Sequence, residues 1–364
     1  MNNRERLLAL LAGNRPDRVP WFADMSYWYG ATEAAGKLDE KYLGDGYFHM
    51  HRELDVGFYL QGYFPFEERA KGVSFESVRN GNEVVTTMKT PRGTLTEIQQ
   101  YLPVSSSYGL VKHYVEDYDD LPAFQYYIEN LSYTPNYDEA VRRKDIIGDN
   151  GVVVCYTPRT PFMQMITTFS GVENLIYLLM DYPEEVDELL SVMEEKYDVA
   201  AAMAVDSPAE MVMIPQNLSS EVVGSRYYEK YLRPCEKKWI EKIKNAGKYS
   251  LIHMDGTLKG LISEVAETGF DIIEAVTPAP VGDMTLEEVT NVVLEDTIIW
   301  GGVPGTMFTP MVSDDDFEKF VIEILTIMKT KPRFVLGVAD QVPPDGLLSR
   351  VKAVATLIER YGKY

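Results

Sequence analysis

Tyr249-Ser-Leu-Ile-His-Met-Asp-Gly256 is an apolar run that ends in a histidine and an aspartate two residues apart. As a strand, its side-chain alternation puts Ser250, Ile252 and Met254 on one face and Leu251, His253 and Asp255 on the other. In a parallel α/β architecture the carboxyl end of such a strand is where ligands bind. A second reading makes Asp255 the cap of a helix beginning near Leu258 and His253 a packed histidine. The neighbouring sequence decides between them.

From Asn150 onward, short apolar runs alternate with longer amphipathic stretches. Val152 to Tyr156, Met211 to Pro215, Tyr249 to Asp255, Asp271 to Val276, Thr297 to Val303 and Arg333 to Val338 read as buried parallel strands. Between them the spacing predicts helices over Val172 to Met203 with a break at Pro183, Tyr227 to Ala246 with a kink at Pro234, Thr257 to Thr268, Thr285 to Leu294, Asp314 to Lys329 and Gly346 to Tyr361. Ser313 and Asp316 give the Asp314 helix a capping-box-like start. Earlier, Arg18 to Asp24 and Val56 to Gln61 supply two more strands, for a total of eight. That alternation predicts an α/β fold of the (β/α)8 TIM-barrel kind, with a doubly wound sheet as the alternative. No G-x-G-x-x-G or G-x-x-x-x-G-K-[ST] follows any strand, so no nucleotide site is signalled.

Between Phe66 and Lys112 the texture changes. Turn signals at Asn80-Gly-Asn82 and Thr90-Pro-Arg-Gly93 separate β-prone segments, which predicts an inserted β-hairpin meander at about residues 66–112 within a single domain spanning 1–364. Residues 115–143 lack clean periodicity and are expected to be irregular with short helices.

Composition narrows the function classes. The chain has 364 residues, 45% hydrophobic and 25% charged, with a formal net charge of −21. That charge opposes nucleic acid and anionic membrane surfaces as partners. No apolar run approaches the roughly 18 residues of a membrane span, and Met1 to Gly13 suits an amphipathic helix better than a signal peptide, so a cytoplasmic location is expected. Cys155 and Cys235 form no Cys-x-x-Cys pair; Cys155 reads as a core thiol, with no base beside it. His49 and His51 share a helical context near Arg52 and read as solvated or supporting groups, and His113 carries no motif.

A barrel places reactive side chains just after each strand. Those positions hold Asp24 and Tyr27; Gln61; Tyr156 and Arg159; Gln216 and Asn217; His253 and Asp255; Glu274 and Thr277; Gly301-Gly302 with Met307; and Asp340. His253, Asp255 and Asp340 meeting at the mouth would make a site for Zn2+, Fe2+ or Mn2+, with Glu274 as a further ligand. The competing reading has Asp340 bonding backbone amides ahead of Gln341-Val-Pro-Pro-Asp345.

Arg4-Glu-Arg-Leu-Leu-Ala-Leu-Leu11, Pro16-Asp-Arg-Val-Pro20, Thr160-Pro-Phe162, Asp181-Tyr-Pro183, the His253 segment and Val342-Pro-Pro-Asp345 together resemble the uroporphyrinogen decarboxylase superfamily. That group of TIM barrels includes the haem-pathway decarboxylase and cobalamin-dependent methyltransferases. Ala279-Pro-Val-Gly-Asp283 with Gly301-Gly-Val303 resembles the methyltransferase-like branch. The decarboxylase meets a polycarboxylate with arginines after its first strand. Here that stretch reads Ala23-Asp-Met-Ser-Tyr-Trp-Tyr-Gly30, with no basic residue. The methyltransferase branch holds zinc with His-x-Cys and a later cysteine, whereas this chain has His253, Asp255 and Asp340 at those positions. Carboxylates leave a metal harder than thiolates do and suit an oxygen or nitrogen substrate.

The resemblance thus implies a metal-assisted, corrinoid-dependent methyltransferase with the corrinoid on a partner protein. In that reading His253, Asp255 and Asp340 are catalytic, with zinc as the expected metal. Tyr27, Trp28 and Tyr156 wall the pocket, and Gln216, Asn217 and Glu274 orient a small substrate. A decarboxylase of uroporphyrinogen or a related carboxylate, and a non-catalytic tetrapyrrole- or corrinoid-binding protein, are the alternatives. Dimerisation is implied by the resemblance alone.

Overall fold

The structure is a computed structural model that describes residues 1–59, 63–331 and 333–364. Seven strands form one parallel sheet: β1 (Trp21–Asp24), β2 (Val154–Tyr156), β3 (Met211–Ile214), β4 (Tyr249–His253), β5 (Ile272–Val276), β6 (Ile298–Pro304) and β7 (Phe334–Gln341). Their order is β1-β7-β6-β5-β4-β3-β2, so from β2 to β7 chain neighbours are sheet neighbours, while β1 stands at the far edge and pairs with β7. Every residue of β3, β5 and β6 is buried. Both faces are covered, which is why these strands read as unbroken apolar runs.

Among the described residues, the predicted eighth strand is present as Phe58–Tyr59. It pairs in parallel with Gly151–Val152, just ahead of β2, while Gly57 bridges to Phe22 of β1. A continuous eight-stranded ladder is therefore not present among the described residues, and Gln61 lies outside them. This seam tolerates only glycine at its crossing points. A Cβ on Gly57 would stand 2.6 Å from the Phe22 ring, and one on Gly151 would stand 1.7 Å from the Phe58 carbonyl oxygen.

The predicted face alternation of β4 is observed. Leu251 joins an inner cluster with Phe22, Tyr59, Met213, Trp300 and Val335, to which the first helix, Asn3–Leu11, adds Leu7 and Leu10. Ile252 and Met254 instead join the outer cluster beneath the helices. His253, on the same face as Leu251, therefore projects from the inner side at the strand's carboxyl end.

Residues 74–112 form a four-stranded antiparallel meander, Ser74–Asn80, Glu83–Thr90, Gly93–Leu102 and Ser107–Lys112. Phe66–Ala70 departs from the expected hairpins and pairs with Leu131–Pro135. That second strand was expected to be irregular. Its pairing partner is more than sixty residues away in the chain, so local periodicity carries no sign of it. Helices Leu121–Glu129 and Asp138–Ile147 flank it.

Pro183 separates the helices Gly171–Asp181 and Pro183–Asp206, as expected. At Pro234 the chain widens into a π-helical turn, Tyr228–Leu232, before helix Arg233–Asn245. A proline lacks the amide and crowds the carbonyl four residues back, and the wider turn relieves both.

The helix expected from Thr257 begins only at Ile262. Asp283 reaches across to accept the amide of Leu258 at 2.8 Å and that of Lys259 at 3.1 Å. Asp255 does not cap this helix, whose start carries no side-chain cap; Asp283 instead secures the turn that precedes it. Asp283→Ala should lower stability by about 1 kcal/mol in chemical denaturation, while Asp255→Ala changes it by less than about half that. Equal losses would show that the Asp283 bonds are not what secures this turn.

Candidate active site

The register of the sheet assembles the site. His253 and Glu274 are direct partners across β4 and β5, so a histidine and a glutamate that are 21 residues apart in the chain stand side by side. Their side chains meet at 2.6 Å, Nδ1 to Oε2. The other carboxylate oxygen of Glu274 accepts the Tyr59 hydroxyl at 2.9 Å. The Tyr59 ring leans on Trp300 with centroids 4.7 Å apart. Inner core, Tyr59, Glu274 and His253 thus form one continuous support.

On its open side, His253 Nε2 faces Asp340 Oδ1 at 3.8 Å. Asp340 therefore faces the imidazole, which favours the site reading over the turn-capping one. Asp24 is the aspartate that bonds a backbone amide here: it accepts Ser26 N at 2.7 Å and Gln341 Nε2 at 2.8 Å.

These groups line a polar cleft of about 340 Å3 at the carboxyl ends of the strands, together with Tyr156, Arg159, Pro215 and Asn217. Asn217, Ala275 and Asp340 all have positive φ, at 51°, 68° and 71°. For residues other than glycine that conformation is strained, and such strain concentrates at functional sites.

Burial opposes a charge on His253. Glu274, at hydrogen-bond distance, overcomes it with help from Asp255 and Asp340, and the pKa rises to about 9. The imidazolium is thus the held form at neutral pH. Burial and the neighbouring carboxylates push Asp340 up to about 6 against the pull of His253. Burial also raises Asp24.

The other expected site residues fall into two groups. Tyr156 and Asn217 line the cleft. Gln216 does not: it is fully buried, accepting from Thr160 and donating to Glu236 at 2.7 Å. Its amide is consumed in tying the stretch after β2 to the helix Arg233–Asn245, and burial raises Glu236 to about 7. Tyr27 donates to the Ser105 carbonyl at the tip of the meander, and Trp28 Nε1 donates to the Gly346 carbonyl at 2.9 Å. Both fasten loops around the mouth and neither lines the cleft.

His51 is buried against Tyr47 and Phe58, not solvated, and burial lowers its pKa to about 3. Both cysteines are buried thiols. His113 bonds the Thr168 carbonyl oxygen at 3.0 Å.

Glu274 is corrected as a metal ligand. It occupies Nδ1, on the far side of the ring from the Nε2 that faces the cleft. Metal-binding histidines use such a carboxylate to orient the ring, without its touching the ion. Among the described residues, no three His, Cys, Asp or Glu side chains are arranged to hold a metal ion. The expected metal set therefore does not fit the site as it stands.

Sequence reasoning did not anticipate Tyr59, Ser26 or Gln341. Tyr59 was visible only as one aromatic in the Val56 strand, and its role depends on a partner 215 residues later.

A parallel α/β sheet with strained, carboxylate-rich strand ends defines a protein whose chemistry lies at the mouth of its strands. The family model described as Uroporphyrinogen decarboxylase (URO-D) matches residues 119–361, and the chain belongs to that family. A methyltransferase from Methanosarcina mazei is similar over 99% of this chain and 99% of its own, with a TM-score of 0.64 and 14% identity. At that identity the likeness shows the fold. The GH18 chitinase ChiB of Flavobacterium johnsoniae covers 63% of this chain and 82% of its own at 13% identity, with a TM-score of 0.35, too low to support an argument. No curated protein sequence matches the chain.

Proposed function

We propose that this protein is a methyltransferase-like enzyme of the URO-D family, working as a (β/α)8 barrel on a small substrate methylated at oxygen or nitrogen. The single observation that carries the reading is the position of His253, with Nδ1 held by Glu274 and Nε2 facing a small polar cleft beside Asp340. The whole-chain likeness to a methyltransferase supports the fold on which this reading is built.

Removing a methyl group from oxygen or nitrogen leaves a basic heteroatom that must take up a proton. A positioned imidazolium can deliver it from Nε2, while Glu274 keeps the ring oriented through Nδ1. Asp340 then accompanies the ring as it gives up its charge. A corrinoid carried by a partner protein would supply the methyl-accepting centre.

The reaction is tested by incubating the protein with cob(I)alamin and a panel of O- and N-methylated small molecules, following methylcobalamin spectroscopically. Product in the panel supports the reading. Product only from uroporphyrinogen, as the decarboxylated porphyrinogen, would replace it with the decarboxylase alternative. Against that alternative, the described cleft is small and its lining holds one arginine, Arg159, to meet a polycarboxylate.

The pH dependence follows from the geometry. The proton donor is lost as pH rises through about 9, so activity should fall there. Glu274→Gln removes the carboxylate that raises the pKa and should move that fall at least about one unit lower, with a rate loss of roughly tenfold to a hundredfold. An unmoved alkaline limb would separate His253 from catalysis.

A further inference from the structure

A second cavity, about 430 Å3, adjoins the site. Its walls are mainly aromatic, and Arg159 lines both it and the His253 cleft. The wall is continuous between them: Tyr156 of the cleft meets Phe64 at 5.4 Å, Phe64 meets Phe66 at 5.7 Å, and Phe66 meets Tyr133 at 5.4 Å. The π-helical turn Met165–Phe169 brings Thr168 and Phe169 to the same cavity. Such wide turns are rare and recur at functional sites.

Arg159 is poorly satisfied for an arginine in so acidic a protein. Its one hydrogen bond among the described residues is a long one, 3.5 Å, to Asn217 Oδ1. Its Nε is buried without a partner. A guanidinium presents its donors in a planar fork that matches a carboxylate, and leaving such donors unmet under burial is costly. Glu68 also lines the second cavity and accepts the Tyr127 hydroxyl at 2.5 Å. It disfavours a further anionic group on whatever enters there.

We propose that Arg159 anchors the carboxylate of a small organic acid whose uncharged aromatic arm fills the second cavity, with a heteroatom substituent on the carbon next to the carboxylate turned into the His253 cleft. Arg159 is then a specificity-determining residue, and the substrate class of the proposed reaction narrows to aromatic acids. The substrate assignment rests on the methyl-transfer reading; the binding does not.

The test is equilibrium binding to the full chain, by calorimetry, of phenylpropionate, phenylpropanol and propionate. Phenylpropionate should bind at least roughly tenfold tighter than either of the others, since one lacks the anion and the other the arm. Arg159→Gln should erase the difference between acid and alcohol. Phe64→Ala, at a half-exposed position, should shrink the difference between phenylpropionate and propionate and leave thermal stability unchanged. Equal wild-type affinity for acid and alcohol would overturn the proposal, whatever the variants do. Because no turnover is measured, that failure leaves the methyl-transfer reading standing. Aromatic-acid binding without any methyl transfer would sink that reading alone.

Discussion

Replacing His253 with glutamine should lower methyl transfer by roughly 10²- to 10⁴-fold, the range associated with removal of a positioned general acid. Glutamine keeps a polar group of similar reach but has no proton to give near neutral pH. Ligand affinity should change far less than turnover, because the ring's proton matters most as the leaving atom becomes basic. A loss confined to KM would recast His253 as a binding residue. The same variant bears on stability. A histidine whose folded pKa is raised to about 9 adds stability that is fully present below about 6.5 and lost as pH rises through about 9. Wild-type stability should therefore decline over that window, and the decline should be shallower in His253→Gln.

Trp300→Ala should be the most damaging core substitution tied to the site, costing about 3–5 kcal/mol in denaturant unfolding. Trp300 is fully buried within the inner cluster, edge-on to Phe22 at 5.3 Å and tilted against Tyr59 at 4.7 Å. Truncation opens a cavity under the ring that carries the Tyr59 hydroxyl to Glu274. Activity should therefore fall along with stability, and the alkaline limb should broaden as Glu274 loses its fixed partner. Trp300→Phe should cost much less, because the indole Nε1 is buried without a hydrogen bond and the substitution removes that unmet donor. If alanine and phenylalanine cost the same, packing around Tyr59 is not what holds the site.

The sheet strands were legible because burial on both faces leaves an apolar run that local periodicity detects, as in Ile272–Val276. His253 and Asp340 were legible as polar residues at strand ends. What pairs with them was not. Register decides that Glu274 meets His253 from behind and that Gln341 meets Asp24, and register is set by the whole sheet. Gln216 shows the complementary failure. It stands at a strand end as a ligand-orienting residue would, yet its side chain turns away from the cleft to Glu236, a contact that depends on the helix packed outside β3. The strand Leu131–Pro135 was hidden for the same reason, since its pairing among the described residues is with Phe66–Ala70 alone. Asp283, which secures the turn after Asp255, likewise acts across 25 residues of chain.

The central claim is that Glu274 holds His253 as an imidazolium facing the cleft. Nitrogen NMR of selectively labelled histidine, titrated from pH 5 to pH 10 on the full chain, reads that state directly. The account predicts a His253 titration near pH 9, with the pKa falling in Glu274→Gln. A midpoint at or below the ordinary histidine value of about 6.5, unchanged by that substitution, would contradict it.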